Sequence, residues 1–120
     1  MEKRYKRMTW ENAGKMTEVI LHFASSNIDF AELRHDFMLS AQRYSNLRFK
    51  YFIIDSDGKG ELEEERRLAH DAMIGLLNAL VRHMYRLSPN SLPTELIPKE
   101  RREIGDFACM FCAQVAIMAR

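Results

Sequence analysis

Cys109 and Cys112 are separated by two residues, the spacing with which paired thiolates grip a metal ion, and at that spacing both fall on one face of a helix. A structural zinc needs four ligands. The sequence has no second cysteine pair, so two of His22, His35, His70 and His83 would have to be recruited from other segments. Phe107, Ala108, Met110, Phe111 and Ala113 surround the two thiols with apolar groups, which disfavour thiolate. Inert, buried core thiols are therefore expected, and no metal or other cofactor.

Asp55-Ser56-Asp57-Gly58-Lys59-Gly60-Glu61-Leu62 resembles the EF-hand calcium loop, with acids at its first and third positions, glycine at the sixth and an aliphatic residue at the eighth. The resemblance implies a cation held by Asp55, Asp57 and Glu61. It departs at two ligand positions, where Lys59 and Arg66 stand and would repel calcium. The expected role is a glycine-rich turn between helices, and the alternative is a module that responds to divalent ions through residues 55–66. Glu32-Leu33-Arg34-His35 is a Glu-x-x-His unit, which di-iron bundles carry twice; here it occurs once. Arg66-Arg67-Leu68-Ala69-His70-Asp71 resembles the Arg-polar-x-x-x-His signature of the HEPN helical ribonucleases, though its spacing is shorter than that family's. That resemblance implies Arg66 or Arg67 acting with His70 on RNA. The competing expectation is an ion-pair face, with Glu63 four residues before Arg67.

Basic patches occur at Lys3–Arg7 and Lys99–Arg102, and Tyr5 and Trp10 near the first could stack on bases. A charged, frayed N-terminus over residues 1–8 is the simpler expectation. The whole chain balances 18 basic residues against 17 acidic ones, for a net charge of +1, which argues against a general nucleic-acid coat. No nucleophile elbow, phosphate loop or supported carboxylate pair is present, so an enzyme is disfavoured.

These residues must be positioned by helices. At 120 residues the chain is the size of one domain, and 47% hydrophobic residues suffice for a core. Eight methionines favour helical packing. The longest apolar stretch, Phe107 to Ala119, is too short to span a bilayer, and two cysteines without a disulfide framework suit the cytoplasm.

Apolar residues three and four apart predict four helices over roughly 9–26, 29–54, 61–87 and 98–119, an all-α bundle of up-down character. Thr9 should cap the first, and Asp29 with Glu32 the second. Phe30, Leu33, Phe37, Ser40, Tyr44, Leu47, Tyr51 and Ile54 form the stripe of the second helix; Ala69, Met73, Leu77, Leu80, Met84 and Leu87 form that of the third. The fourth is apolar nearly all round, with Gln114 the one polar interruption after Phe107. Such a helix is either the centre of a core or half of an interface, so Phe107, Phe111, Val115 and Met118 are the candidate interface. The expectation is a small protein-interaction or regulatory module that forms a homodimer or binds another protein.

Overall fold

The computed structural model describes residues 8–23, 27–53, 56–90 and 93–118; the side chains of residues 56–59 fall outside that description. It contains four α-helices and, among the described residues, no strand: α1 Trp10–His22, α2 Ile28–Ile53, α3 Ser56–Leu87 and α4 Arg101–Met118, with a short 3-10 turn at Thr94–Leu96 before α4. The chain is an all-α helical bundle, as its periodicity predicts.

Thr9 caps α1, its side-chain oxygen accepting from the Asn12 N–H at 3.1 Å. The helix ends at His22 because Arg34 of α2 donates to the carbonyls of Ile20 and Leu21, at 3.3 and 2.9 Å, and so satisfies the last turn. The N-cap of α2 is Asn27 rather than Asp29: its Oδ1 accepts from the Phe30 N–H at 2.8 Å. Asn caps as well as Asp does, so the earlier site takes the role and Asp29 moves into the first turn. Ile28 is consequently helical and exposed, so the hydrophobic staple with Leu33 that the sequence spacing of the two predicts is not formed.

A larger correction concerns α3, which begins at Ser56 instead of near residue 61. The backbone of Asp57-Gly58-Lys59-Gly60 is helical, so the expected turn and the EF-hand-like loop are not formed from residue 56 onward. Ser56 and Asp57 open a helix favourably, since an acid near its start opposes the macrodipole, and each glycine weakens the helix by only about 1 kcal/mol relative to Ala. Asp55 itself lies outside the described residues. Gly60 has open space where a Cβ would stand, and its backbone needs no positive φ. Gly60→Ala should therefore raise the unfolding free energy by about 0.4–1 kcal/mol, read as a higher urea midpoint at unchanged slope.

α2 and α3 run antiparallel over most of their length, as Phe30 against His83, Tyr44 against His70 and Tyr51 against Arg66 show. With 32 residues α3 extends about 48 Å, matching the longest dimension of the molecule, 48 Å. The predicted stripes point inward: Phe30, Phe37, Tyr44 and Leu47 of α2 meet Ala69, Met73, Leu77, Leu80 and Met84 of α3 in one core. Leu87, the last of the α3 stripe, is exposed, and Ile54 lies outside the described residues.

The apolar α4 supplies the third wall of that core. Phe107 and Phe111 are fully buried within the single chain, packing on Phe37 at ring-centroid distances of 6.3 and 5.1 Å. Two of the four residues expected at an interface are thus core residues, because α2 and α1 already cover that face of α4. Val115 is half-buried and Met118 exposed. Gln114 reaches across to α1, donating to the Trp10 carbonyl at 3.5 Å over Gly14.

The start of α4 also differs from expectation, falling at Arg101 rather than Pro98. Glu103 is buried at 2% exposure and turns back to accept from the Lys99 N–H at 2.7 Å, closing the helix start.

Candidate functional site

Where α2, α3 and α4 meet, a cleft of about 410 Å³ is lined by Tyr44 and Arg48 of α2, Glu63, Arg66, Arg67 and His70 of α3, and Arg101, Arg102 and Asp106 of α4, with Phe52 at its edge. Five arginines therefore face two carboxylates in a protein whose net charge is +1. Of the sequence-predicted catalytic residues, Arg66, Arg67 and His70 do share this one cleft.

The geometry depends on Gly105. A Cβ there would lie 2.8 Å from the Tyr44 hydroxyl and 3.3 Å from His70 Nε2, so only glycine lets α4 come this close. His70 stacks on Tyr44 at a centroid distance of 4.9 Å, and both its ring nitrogens are engaged by one residue. Nε2 lies 3.0 Å from the Arg101 carbonyl and Nδ1 lies 3.2 Å from Arg101 Nη2. Those partners require a neutral ring that donates from Nε2 and accepts at Nδ1. Burial holds the imidazole below its ordinary value; the carbonyl bond opposes this and the Arg101 charge adds to it. While Arg101 stays in place, His70 has no free nitrogen for proton transfer, and it acts as a strut between α3 and α4.

A histidine that is neutral in the fold contributes stability above its unfolded value of about 6.5, and that contribution fades as pH falls through it. Asp71, Arg66, Arg101 and Tyr44 are the groups that face it. The urea midpoint should accordingly drop between pH 7.5 and 5.5, and His70→Gln should flatten the dependence; an equally steep profile in the variant would refute the assignment.

Three of the arginines are already paired. Arg48 bonds Asp106 at 3.0 Å, Arg101 bonds Asp71 at 2.7 Å, and Arg67 bonds Glu64 at 2.8 Å with Asp71 farther off at 3.5 Å. The Arg101 bond holds the Asp71 carboxyl below its usual range. The expected i,i+4 partner of Arg67, Glu63, is replaced by Glu64 one turn back, and pairs this exposed are screened by solvent and add little to stability. Arg66 and Arg102 differ. The Arg66 guanidinium lies 4.5 Å from the centre of the Tyr51 ring, while its Nε is buried with no hydrogen-bond partner among the described residues. Arg102 is exposed and makes no ion pair among the described residues.

Beside the cleft and sharing Arg48, Phe52 and Asp106 with it, an apolar groove of about 370 Å³ runs between α2 and α4, lined also by Ser45, Phe49, Cys109 and Met110. Phe49, Phe52 and Ile53 at the end of α2 are 66%, 68% and 67% exposed.

The remaining predicted groups stay apart from this region or from one another. Among the described residues no three potential metal ligands cluster. Glu61 is exposed, the Asp57 side chain is outside the description, and Glu32 and His35 are both exposed on α2. Cys109 and Cys112 are not disulfide-bonded and are half-buried. Burial pushes the Cys112 thiol up from 9.0 to about 11. At pH 8 that leaves about a hundredfold less thiolate than an unshifted thiol would have, so Cys112 should label about a hundredfold faster once unfolded.

In the sequence Arg101 and Arg102 stand out only as part of a charged patch, Tyr44 only as a member of the apolar stripe, and Arg48 not at all. Arg48 sits one residue after the buried Leu47, and nothing local marks it as facing two other helices. No helix among the described residues is long and apolar enough to cross a membrane. No protein-family model matches the chain, and no curated protein or solved structure matches it either.

Proposed function

We propose that this chain is a small cytoplasmic interaction module that pairs with a second copy of itself through the end of α2 and the adjoining α2/α4 groove. The observation that carries this reading is that Phe49 and Phe52, each about two-thirds exposed, line an apolar groove, with the equally exposed Ile53 next to Phe52 in the last turn of α2. Aromatic and thioether groups of that kind are what interface cores use. A second copy suits the surface by charge. Exposed Glu63 lines the same cleft as the arginines, so the region offers both signs, as a contact between two copies across a twofold axis requires. This shifts the expected interface from the α4 residues Val115 and Met118 to the α2 end. The two cysteines, not joined to each other, favour a reducing compartment.

Mass in solution tests the reading. The chain of 14.1 kDa should scatter as a dimer at micromolar concentration, Phe49→Glu should halve that mass with helicity retained, and Met118→Glu should leave it unchanged. A 14 kDa species in the unaltered protein would refute it.

A second reading, RNA cleavage of the kind the HEPN resemblance implies, has in its favour that Arg66, Arg67 and His70 line one cleft. It requires Arg101 to leave His70. Loss of RNA-cleaving activity in His70→Ala, with the fold intact, would favour it over the interaction module.

A further inference from the structure

We infer that the arginine cleft binds a phosphate group, either the free ion or one carried by a small molecule. The proposal does not rest on self-association.

The cleft is short of negative charge in three separate ways. Arg66 presents a guanidinium whose Nε is buried without a hydrogen-bond partner, and a buried donor left unmade is costly. Arg102 carries its charge into the same cleft with no ion pair among the described residues. Both Arg101 and Arg102 stand in the first turn of α4, at the positive end of the helix macrodipole, where cations are disfavoured and anions stabilised. The acid in that turn, Glu103, cannot offset this in the cleft, because it is buried and directed to the Lys99 N–H. An oxyanion between the Arg66 and Arg102 guanidinium groups would supply the negative charge that the cleft and the start of α4 lack.

The chemistry of the donors favours phosphate. Guanidinium groups present their N–H donors as planar forks, and forks from two different helices converge best on a tetrahedral group with several acceptor oxygens. The neighbouring strut keeps the site ready: His70 stays uncharged, and Asp71 holds Arg101 at 2.7 Å, so its guanidinium does not swing into the space. A volume of about 410 Å³ is that of a site for a small molecule. Phe52 at its edge gives a flat apolar surface against which a ring attached to the phosphate could lie.

Titration calorimetry with inorganic phosphate and with adenosine monophosphate, at ionic strength fixed with chloride, tests this. Binding of at least one probe is expected, with affinity reduced at least tenfold in Arg102→Ala and in Arg66→Ala and unchanged in Arg86→Ala, an exposed position near the far end of α3. Tighter binding of the nucleotide assigns the phosphate to a phosphomonoester that carries an aromatic ring, and tighter binding of inorganic phosphate assigns it to the free ion. Arg102 is exposed and makes no ion pair among the described residues, so its removal leaves the fold intact, and the thermal midpoint without ligand checks that for both variants. No binding of either probe, or equal affinity in Arg66→Ala, Arg102→Ala and the unaltered protein, would overturn the proposal.

Discussion

Phe37→Ala is expected to lower the unfolding free energy by about 3–5 kcal/mol, the largest loss of any single truncation considered. Phe37 is fully buried, and its ring lies against Phe107 and Phe111, which are themselves 5.8 Å apart. Deleting it removes the apolar area and leaves a cavity that two aromatic neighbours on a single helix cannot readily close. Since a domain of this size has about 5–15 kcal/mol in total, the variant should be partly unfolded at modest urea concentration. Urea unfolding followed by circular dichroism measures the effect. A loss below about 1.5 kcal/mol would mean that the three rings do not form the centre of the core.

The second large effect has the opposite chemical sense, since it adds a methyl group. Gly105→Ala should cost about 1–3 kcal/mol through overpacking, even though Ala is favoured over Gly in a helix by about 1 kcal/mol. The new Cβ would sit 2.8 Å from the Tyr44 hydroxyl, on a side chain that is nearly fully buried and cannot step aside. Gly60→Ala, with nothing near its Cβ, serves as the control that isolates propensity from contact. Tyr44→Phe removes the atom in the way, so the penalty should shrink by at least half in that background, and the double-mutant cycle reports the coupling. Equal stabilisation by Gly105→Ala and Gly60→Ala would show that α4 does not approach α2 and α3 as closely as described.

What could be read in the sequence was what repeats along a helix. The stripes from Phe30 to Leu47 and from Ala69 to Met84 reach the core because burial enforces the helical period and a misplaced polar residue would cost several kcal/mol. The ends were less legible. At Asn27 two good caps compete within two residues, and at Ser56 two glycines signal a turn that the helix overrides at a cost of about 2 kcal/mol. The site was legible only in fragments. Arg66, Arg67 and His70 share a helix and could be noticed together, whereas Arg48 and Arg101 join them only through the close approach at Gly105, which depends on three helices at once. For the same reason the apolar length of α4 leaves a core centre and an interface both open in the sequence, and Phe37, 70 and 74 residues earlier in the chain, is what makes Phe107 and Phe111 core residues.

The position of α1 bears on the order in which the molecule assembles. Its buried face, Ala13, Met16 and Ile20, packs chiefly on α4 and on the turn at Thr94–Leu96, and the Gln114–Trp10 hydrogen bond spans 104 positions of sequence. The α2/α3 pair, by contrast, joins segments that follow one another directly, so its loop-closure entropy is small and it can form first. During synthesis α1 is made before α2, α3 and α4, and its apolar face stays uncovered until α4 has followed. Once folded, α1 is the unit that can detach while the α2/α3 pair stays intact, so its amides should exchange hydrogen through an opening of lower free energy than those of Met73 to Met84.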